Sequence, residues 1–189
     1  MRIRAVVHNI PLDFETAPTL FSPNHVDRGS CLLLSQVGFE PADKVLDLGC
    51  GYGLLGIYAA KHLSPDNVYL IDIDPLAVEL ATRNAALNNV TGVHVERSDG
   101  LRDFRATGFT KILCNPPYHT DFSVAKHLIE KSFNRLVIGG SLWMVTKRDR
   151  WYRNKLTSIF GGARVVTQDS YCVFQAVRKS AAYAKSSRH

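Results

Sequence analysis

Short apolar runs alternate with helix-period stretches through most of this chain, and that alternation limits the fold more than any other feature. The strand-like runs cover 44–48, 68–72, 92–96, 110–114, 141–146, 163–167 and 171–177; the helical stretches cover 29–37, 54–62, 75–88, 122–137 and 149–159. Several of the runs are apolar without interruption, as in strands buried on both faces. Strands separated by helices predict an α/β layered domain with a mostly parallel sheet. The last two runs depart from this, because only Gln168 to Ser170 lie between them. That is hairpin spacing, too short for a parallel crossover. The expected sheet is therefore parallel with an antiparallel C-terminal hairpin. Asp74-Pro75 reads as a helix start, with Asp as N-cap and Pro in the first turn. Gly139-Gly140 and Gly161-Gly162 read as the ends of two later helices.

The bulk properties narrow the class. With 189 residues and 46% apolar side chains, the chain has one domain's length and material for a core. No run approaches the roughly 18 apolar residues of a membrane span. The N-terminus MRIRAVVHNIPLDFE lacks the apolar stretch of a signal peptide, so a cytoplasmic protein is expected. Cys31, Cys50, Cys114 and Cys172 form no CxxC pair, and no histidine cluster has zinc spacing, so reduced thiols and no metal are expected. The formal charge of +6 favours a polyanionic partner, with simple solubility as the plainer explanation. Lys147, Arg148, Arg150, Arg153 and Lys155 cluster around Trp151 and Tyr152. Cations interleaved with aromatics suit phosphates and unstacked bases, although a solvated helix face would look similar. Residues 1–180 read as one domain: an N-terminal segment and helix over 1–38, and a core over 39–178. Residues 181–189 read as a frayed basic tail.

The first chemical motif is Val45-Leu46-Asp47-Leu48-Gly49-Cys50-Gly51-Tyr52-Gly53, an apolar strand entering a glycine-rich turn. Gly51 to Gly56 also satisfies GxGxxG, the dinucleotide fingerprint, which is weak alone. Asp47 separates the two readings. A carboxylate beside the loop would repel a pyrophosphate, whereas it suits the ammonium and sulfonium of S-adenosylmethionine. Asp47 could instead cap the following helix. Gly49, Gly51 and Gly53 let the backbone turn and approach a ligand closely. Asp72 ends the next strand 19 residues after Gly53, the usual place for an acidic residue that accepts ribose hydroxyls, with Ile73 beside it. Ser98-Asp99 ends the third strand, where Asp99 could accept from an adenine amine or simply shape a turn. Three acidic residues at successive strand ends line the carboxyl edge of the sheet, where open α/β sheets bind ligands.

The second motif is Asn115-Pro116-Pro117-Tyr118, after the strand Ile112-Leu113-Cys114. An exocyclic amine or a carboxamide is a poor nucleophile because its lone pair is delocalised. Two acceptors that hold both N–H groups, the Asn115 side-chain oxygen and the Pro116 carbonyl, can aim that lone pair. The prolines keep the turn rigid and Tyr118 can stack on a planar substrate. Asn115 also borders the cofactor loop. The bland alternative is an Asn-Pro turn followed by a surface tyrosine. With the glycine loop upstream, the pair of motifs indicates N-methyl transfer.

Together these residues resemble the class I S-adenosylmethionine-dependent methyltransferases with an NPPY motif. That resemblance implies a Rossmann-like, seven-stranded sheet. Phe21-Ser22-Pro23-Asn24-His25-Val26-Asp27-Arg28-Gly29-Ser30, followed by Leu32-Leu33-Leu34, is similar to the N-terminal part of the "methyltransferase small" family. That family includes the enzymes that methylate guanine N2 of small-subunit ribosomal RNA. The resemblance runs from about residue 20 to 178 and implies an RNA substrate, ribosomal RNA. The ribosomal enzymes carry an additional N-terminal domain, and a single-domain version of the family is the closer match. Protein glutamine-N5 methylation uses the same clamp, but its enzymes usually carry a helical N-terminal domain. DNA adenine-N6 methylation normally needs a target-recognition region. A non-catalytic RNA-binding module and a hydride-transfer enzyme are the readings outside this class.

Overall fold

The computed structural model describes residues 1–116 and 122–184. An N-terminal hairpin, β1 (Arg2–Val7) and β2 (Ile10–Glu15), precedes α1 (Arg28–Gln36). Then follow β3 (Val45–Leu48), α2 (Leu54–Ala60), β4 (Val68–Asp72), α3 (Pro75–Leu87), β5 (His94–Arg97) and β6 (Phe109–Cys114). The chain ends in α4 (Phe122–Arg135), β7 (Leu136–Thr146), α5 (Asp149–Phe160), β8 (Arg164–Gln168) and β9 (Tyr171–Val177). The main sheet has seven strands in the order β5-β4-β3-β6-β7-β9-β8. The pairs from β5 to β7 are parallel, and β9 runs antiparallel to both β7 and β8. The expected parallel sheet with a terminal antiparallel hairpin is thus present.

Period-two alternation along the strands divides the interior into two cores. Val45, Leu70, Leu113, Trp143, Val145 and Val173 pack with α1, α2, α3 and the hairpin. Leu46, Ile71, Ile112, Cys114, Met144 and Phe174 pack with α4 and α5. The same alternation puts Asp47 and Asn115 on the α1/α2 side, because Asp47 pairs in register with Leu113 and Asn115 lies two residues beyond it.

Two readings of the sequence need correction. Residues 1–15 form a hairpin where only an N-terminal segment was expected. Gly139-Gly140 do not end a helix. Helix α4 stops at Arg135, and both glycines lie inside β7, beside the register shift between Phe109 and Lys111. A Cβ at Gly140 would come within 2.9 Å of the Phe109 carbonyl oxygen, so glycine is needed there for strand contact and not for capping. Gly161 does cap α5, with φ +82°. Among the described residues no helix is long and apolar enough to cross a membrane.

The hairpin is docked by two asparagines one turn apart, Asn84 on α3 and Asn88 at its C-cap. The amide of Asn84 accepts from Glu15 N–H at 2.7 Å and donates to the Glu15 carbonyl at 2.9 Å. Asn88 makes the same pair with Asp13, at 3.1 and 2.7 Å. Asn84 also donates to the Tyr52 carbonyl at 2.8 Å, and Phe14 packs against the Tyr52 ring. One buried side chain therefore ties β2 to the glycine-rich turn.

Candidate active site

The carboxyl ends of β3, β4 and β6 open into two adjoining hollows with Leu48, Gly49, Asp72 and Leu128 as their common wall. The first hollow is lined by Asp27, Ser30, Asp47, Gly51, Asn115 and Pro116. The second reaches past Ile73, Ser98, Asp99 and Arg102 to His127. The α/β edge expected to bind a ligand is therefore concave, and most of the predicted site residues meet there.

The glycine turn is shaped by its own backbone and by two carboxylates. Gly49 and Gly51 have φ of +74° and +54°, and a Cβ on either would meet nothing within 4 Å. Such a conformation disfavours side chains, and the turn leaves open space in front of its backbone. Gly53 begins α2 in the left-handed region, at φ +100°. Gly56 serves a different purpose, because a Cβ there would press within 2.5 Å of Leu70. It allows α2 to lie tightly on β4. Asp72 accepts from Gly51 N–H at 2.8 Å and from Asp74 N–H at 3.0 Å, so the end of β4 holds the turn in place.

Asp47 is both a cap and a candidate ligand group. Its Oδ2 accepts from Gly56 N–H at 2.7 Å, in the first turn of α2. Its Oδ1 is buried with no partner among the described residues. Burial, opposed by the Gly56 bond and reinforced by Asp72, raises its carboxyl to about 7. The folded protein therefore holds this proton more tightly than the unfolded chain. The resulting stabilisation is fully present below pH about 4 and is lost as pH rises through about 7. Each pH unit across that interval is worth about 1.4 kcal/mol, on the order of 4 kcal/mol in all. Urea unfolding at pH 5 and pH 8 should show the wild type losing stability relative to Asp47→Asn. Parallel curves for the two proteins would exclude this assignment.

The amide of Asn115 is fixed from its donor end. Its Nδ2 donates to Asp27 Oδ2 at 2.9 Å and to Ser30 Oγ at 2.9 Å. Asp27 is the N-cap of α1 and accepts from Ser30 N–H at 2.7 Å through the same oxygen. Pro116 is buried in the wall of the first hollow. Pro117 and Tyr118 lie outside the described residues. Asp27 and Ser30 were missed as site residues, although both stand in the N-terminal stretch that carried the family resemblance. Nothing in their spacing from Asn115 announces the contact, which is made across 88 residues.

The rest of the predicted site is less tightly built. Ile73 is 56% exposed at the rim of the second hollow. Ser98 is buried and donates to the Gly100 carbonyl. Asp99 forms an exposed ion pair with Arg102 at 2.7 Å, of the kind worth little in stability. His127, which sequence reasoning did not single out, places a buried Nε2 in this region with no partner among the described residues. The basic cluster divides. Tyr152 belongs to the core, Lys155 pairs with Glu130, and Arg153 pairs with Asp149 at 3.0 Å. Trp151 stacks on Phe122 at 4.5 Å, and Arg148 lies 5.0 Å from the centre of the same Phe122 ring. Lys147, Arg148 and Arg150 are exposed just beyond β7, the strand beside β6 and its Asn115 tip.

Comparison with known proteins agrees with this geometry. Residues 11–175 match the family described as the Methyltransferase small domain. A Pseudomonas putida protein named "Ribosomal RNA small subunit methyltransferase C" is 31% identical over 94% of this chain and 54% of its own length. The Bacillus subtilis protein YbxB, described as uncharacterized, is 33% identical over 85% of this chain and 82% of its own. A solved structure of the Thermus thermophilus 16S rRNA N2 G1207 methyltransferase, in complex with AdoMet and guanosine, superposes with a TM-score of 0.85. It is 25% identical and covers 95% of this chain and 50% of that one. The chain thus spans about half the length of the ribosomal RNA methyltransferases it matches. With nearly all of its core inside the matched residues, this chain belongs to the Methyltransferase small domain family.

Proposed function

We propose that this protein is a cytoplasmic enzyme that transfers a methyl group from S-adenosylmethionine to an exocyclic amine of a nucleic-acid base, guanine N2 in RNA. The observation that carries the reading is Asn115. It ends the parallel strand next to the glycine loop's own strand, in the same hollow as Asp47 and Asp72. The relatives named as ribosomal RNA methyltransferases, and the neighbour whose structure contains AdoMet and guanosine, support the choice of cofactor and base.

The residues present suit that cofactor. Once ionised, Asp47 offers an ammonium group its Oδ1, which has no partner among the described residues, and the open face of Gly49 and Gly51 gives backbone room. Asp72 accepts once through each oxygen, from Gly51 of the loop and from Asp74 at the start of α3, and a carboxylate has about four lone-pair sites, so ribose hydroxyls can still be accepted. Ile73, Ser98 and Asp99 would border the adenine. When bound, S-adenosylmethionine would supply an electrophilic methyl group on a sulfonium, whose S–C bond breaks as the N–C bond forms and leaves the neutral thioether S-adenosylhomocysteine. Asn115 Oδ1 and the Pro116 carbonyl would hold the two N–H groups of the amine and set the direction of its lone pair. The amine loses its proton only after alkylation has made it acidic, so no basic side chain is required beside it. Tyr118 would stack on the base.

Transfer of radiolabelled methyl from S-adenosylmethionine to RNA, DNA and protein fractions tests the reading. Label in RNA is expected, and label confined to protein would replace the base with a glutamine side chain. Asp72→Ala should weaken calorimetric binding of S-adenosylmethionine by about 10- to 150-fold, the range for losing hydrogen bonds to a charged group. Unchanged affinity would remove Asp72 from the cofactor site. Lys147, Arg148, Arg150 and Arg153 are the proposed phosphate contacts. Arg153 is the weakest of them, since Asp149 already neutralises it. Neutralising Arg148 and Arg150 together should flatten the slope of log affinity for RNA against log salt by about one to two. An unaltered slope would place the RNA elsewhere.

A further inference from the structure

We infer that Asp27 and Ser30 are positioning residues for the reaction: they hold the Asn115 amide in the orientation that presents its oxygen to the acceptor amine. The inference rests on the function proposed above and assigns a task to a segment that carries neither the glycine loop nor the NPPY motif.

The two ends of an asparagine amide are nearly isosteric and chemically opposite. Turned one way, Asn115 offers an acceptor to the NH2 group. Turned the other way, it offers a second NH2, which repels the substrate's donors. The protein must therefore choose, and the choice is made by what lies behind the amide. Asp27 Oδ2 can only accept, and it accepts from Nδ2 at 2.9 Å. Ser30 Oγ lies at 2.9 Å from the same nitrogen. Rotating the amide would place its oxygen against the carboxylate, in surroundings where Asp27 is 6% and Ser30 5% exposed. An unpaired or repelled polar group costs most where water is excluded.

The supports are themselves held in place. Asp27 caps α1 through Ser30 N–H, so the carboxylate oxygen that anchors the amide is fixed by the helix end. Gly29 lets that helix end approach β9: a Cβ there would fall 2.7 Å from the Tyr171 ring. The chain from Tyr171 through Gly29 and Asp27 to Asn115 thus sets one side-chain rotation at the site.

Two measurements test this. In side-chain amide NMR spectra, the Asn115 NH2 pair, assigned by its loss in Asn115→Ala, should be dispersed and slowly exchanging in the free protein. It should collapse toward ordinary exposed shifts in Asp27→Ala. This readout needs no substrate, so it stands even if the proposed reaction is wrong. An Asn115 pair insensitive to Asp27→Ala would overturn the inference. In single-turnover methyl transfer to RNA from cells lacking the protein, Asp27→Ala should be roughly 10- to 100-fold slow, as expected for misoriented reactants. S-adenosylmethionine affinity should stay within about twofold, because the change is at the acceptor side. Asp27→Asn keeps an oxygen at the anchoring position and should restore most of the rate. In an Asn115→Ala background, Asp27→Ala should add nothing. Additive losses, or a rate loss matched by lost cofactor affinity, would make Asp27 a structural cap only.

Discussion

Asn115→Ala is expected to slow single-turnover methyl transfer by about 100- to 1000-fold at saturating S-adenosylmethionine, by analogy with losing one preorganised oxyanion-hole donor. The amine would keep its lone pair in conjugation with the base, and the Pro116 carbonyl alone would hold one N–H without fixing the direction of attack. Cofactor affinity should be nearly unchanged, because Asp47, Asp72 and the glycine turn stand on other strands. The split between rate and affinity separates a clamp from a general weakening of the site. Wild-type rates in the alanine variant would reduce the motif to a turn.

Asn84→Ala is expected to cost roughly 3–5 kcal/mol of stability, since each buried group left unsatisfied costs about 1–3 kcal/mol and three lose their partner. Asn84 is fully buried, and its removal leaves Glu15 N–H, the Glu15 carbonyl and the Tyr52 carbonyl without their partner. For a domain of this size that corresponds to a fall in Tm of roughly 10 °C. Calorimetric or circular-dichroism melting measures it, and a loss below about 1 kcal/mol would show that β2 docks by apolar packing alone. Because the same amide reaches Tyr52, the variant should also loosen S-adenosylmethionine binding. Asn88→Ala lacks that contact and serves as the control.

The sheet was legible because its central strands are buried on both faces. Runs such as Val68 to Ile71 and Ile112 to Cys114 have no polar alternation to blur them. The terminal hairpin was legible from loop length, and α3 from Asp74 and Pro75, which do cap and begin it. The N-terminal hairpin was not. Its inward residues Val7, Leu12 and Phe14 alternate correctly, but its turn is His8-Asn9, both at positive φ, without the glycine that usually marks such a turn. Asp47, Gly51 and Asn115 could be nominated from local spacing, and the fold brings all three to one hollow. Asp27, Ser30 and Asn84 could not, because each acts on a partner far away in the sequence. The basic cluster was legible only as charge. Which cations are ion-paired depends on Glu130 and Asp149, and Tyr152 turns inward because α5 places it on its buried face.

The bonds at the two asparagine-anchored junctions join residues 75 and 88 positions apart. During synthesis, the first thirty residues leave the ribosome well before either partner exists. The docking of the hairpin has to wait for α3, and the bond from Asn115 to Asp27 for the end of β6. The acceptor side of the site thus cannot be completed before the end of β6 has been synthesised, 88 residues after Asp27. A nascent or partly unfolded chain could hold the glycine turn and still lack an oriented Asn115, so competence to methylate would arrive with the native state and not before it.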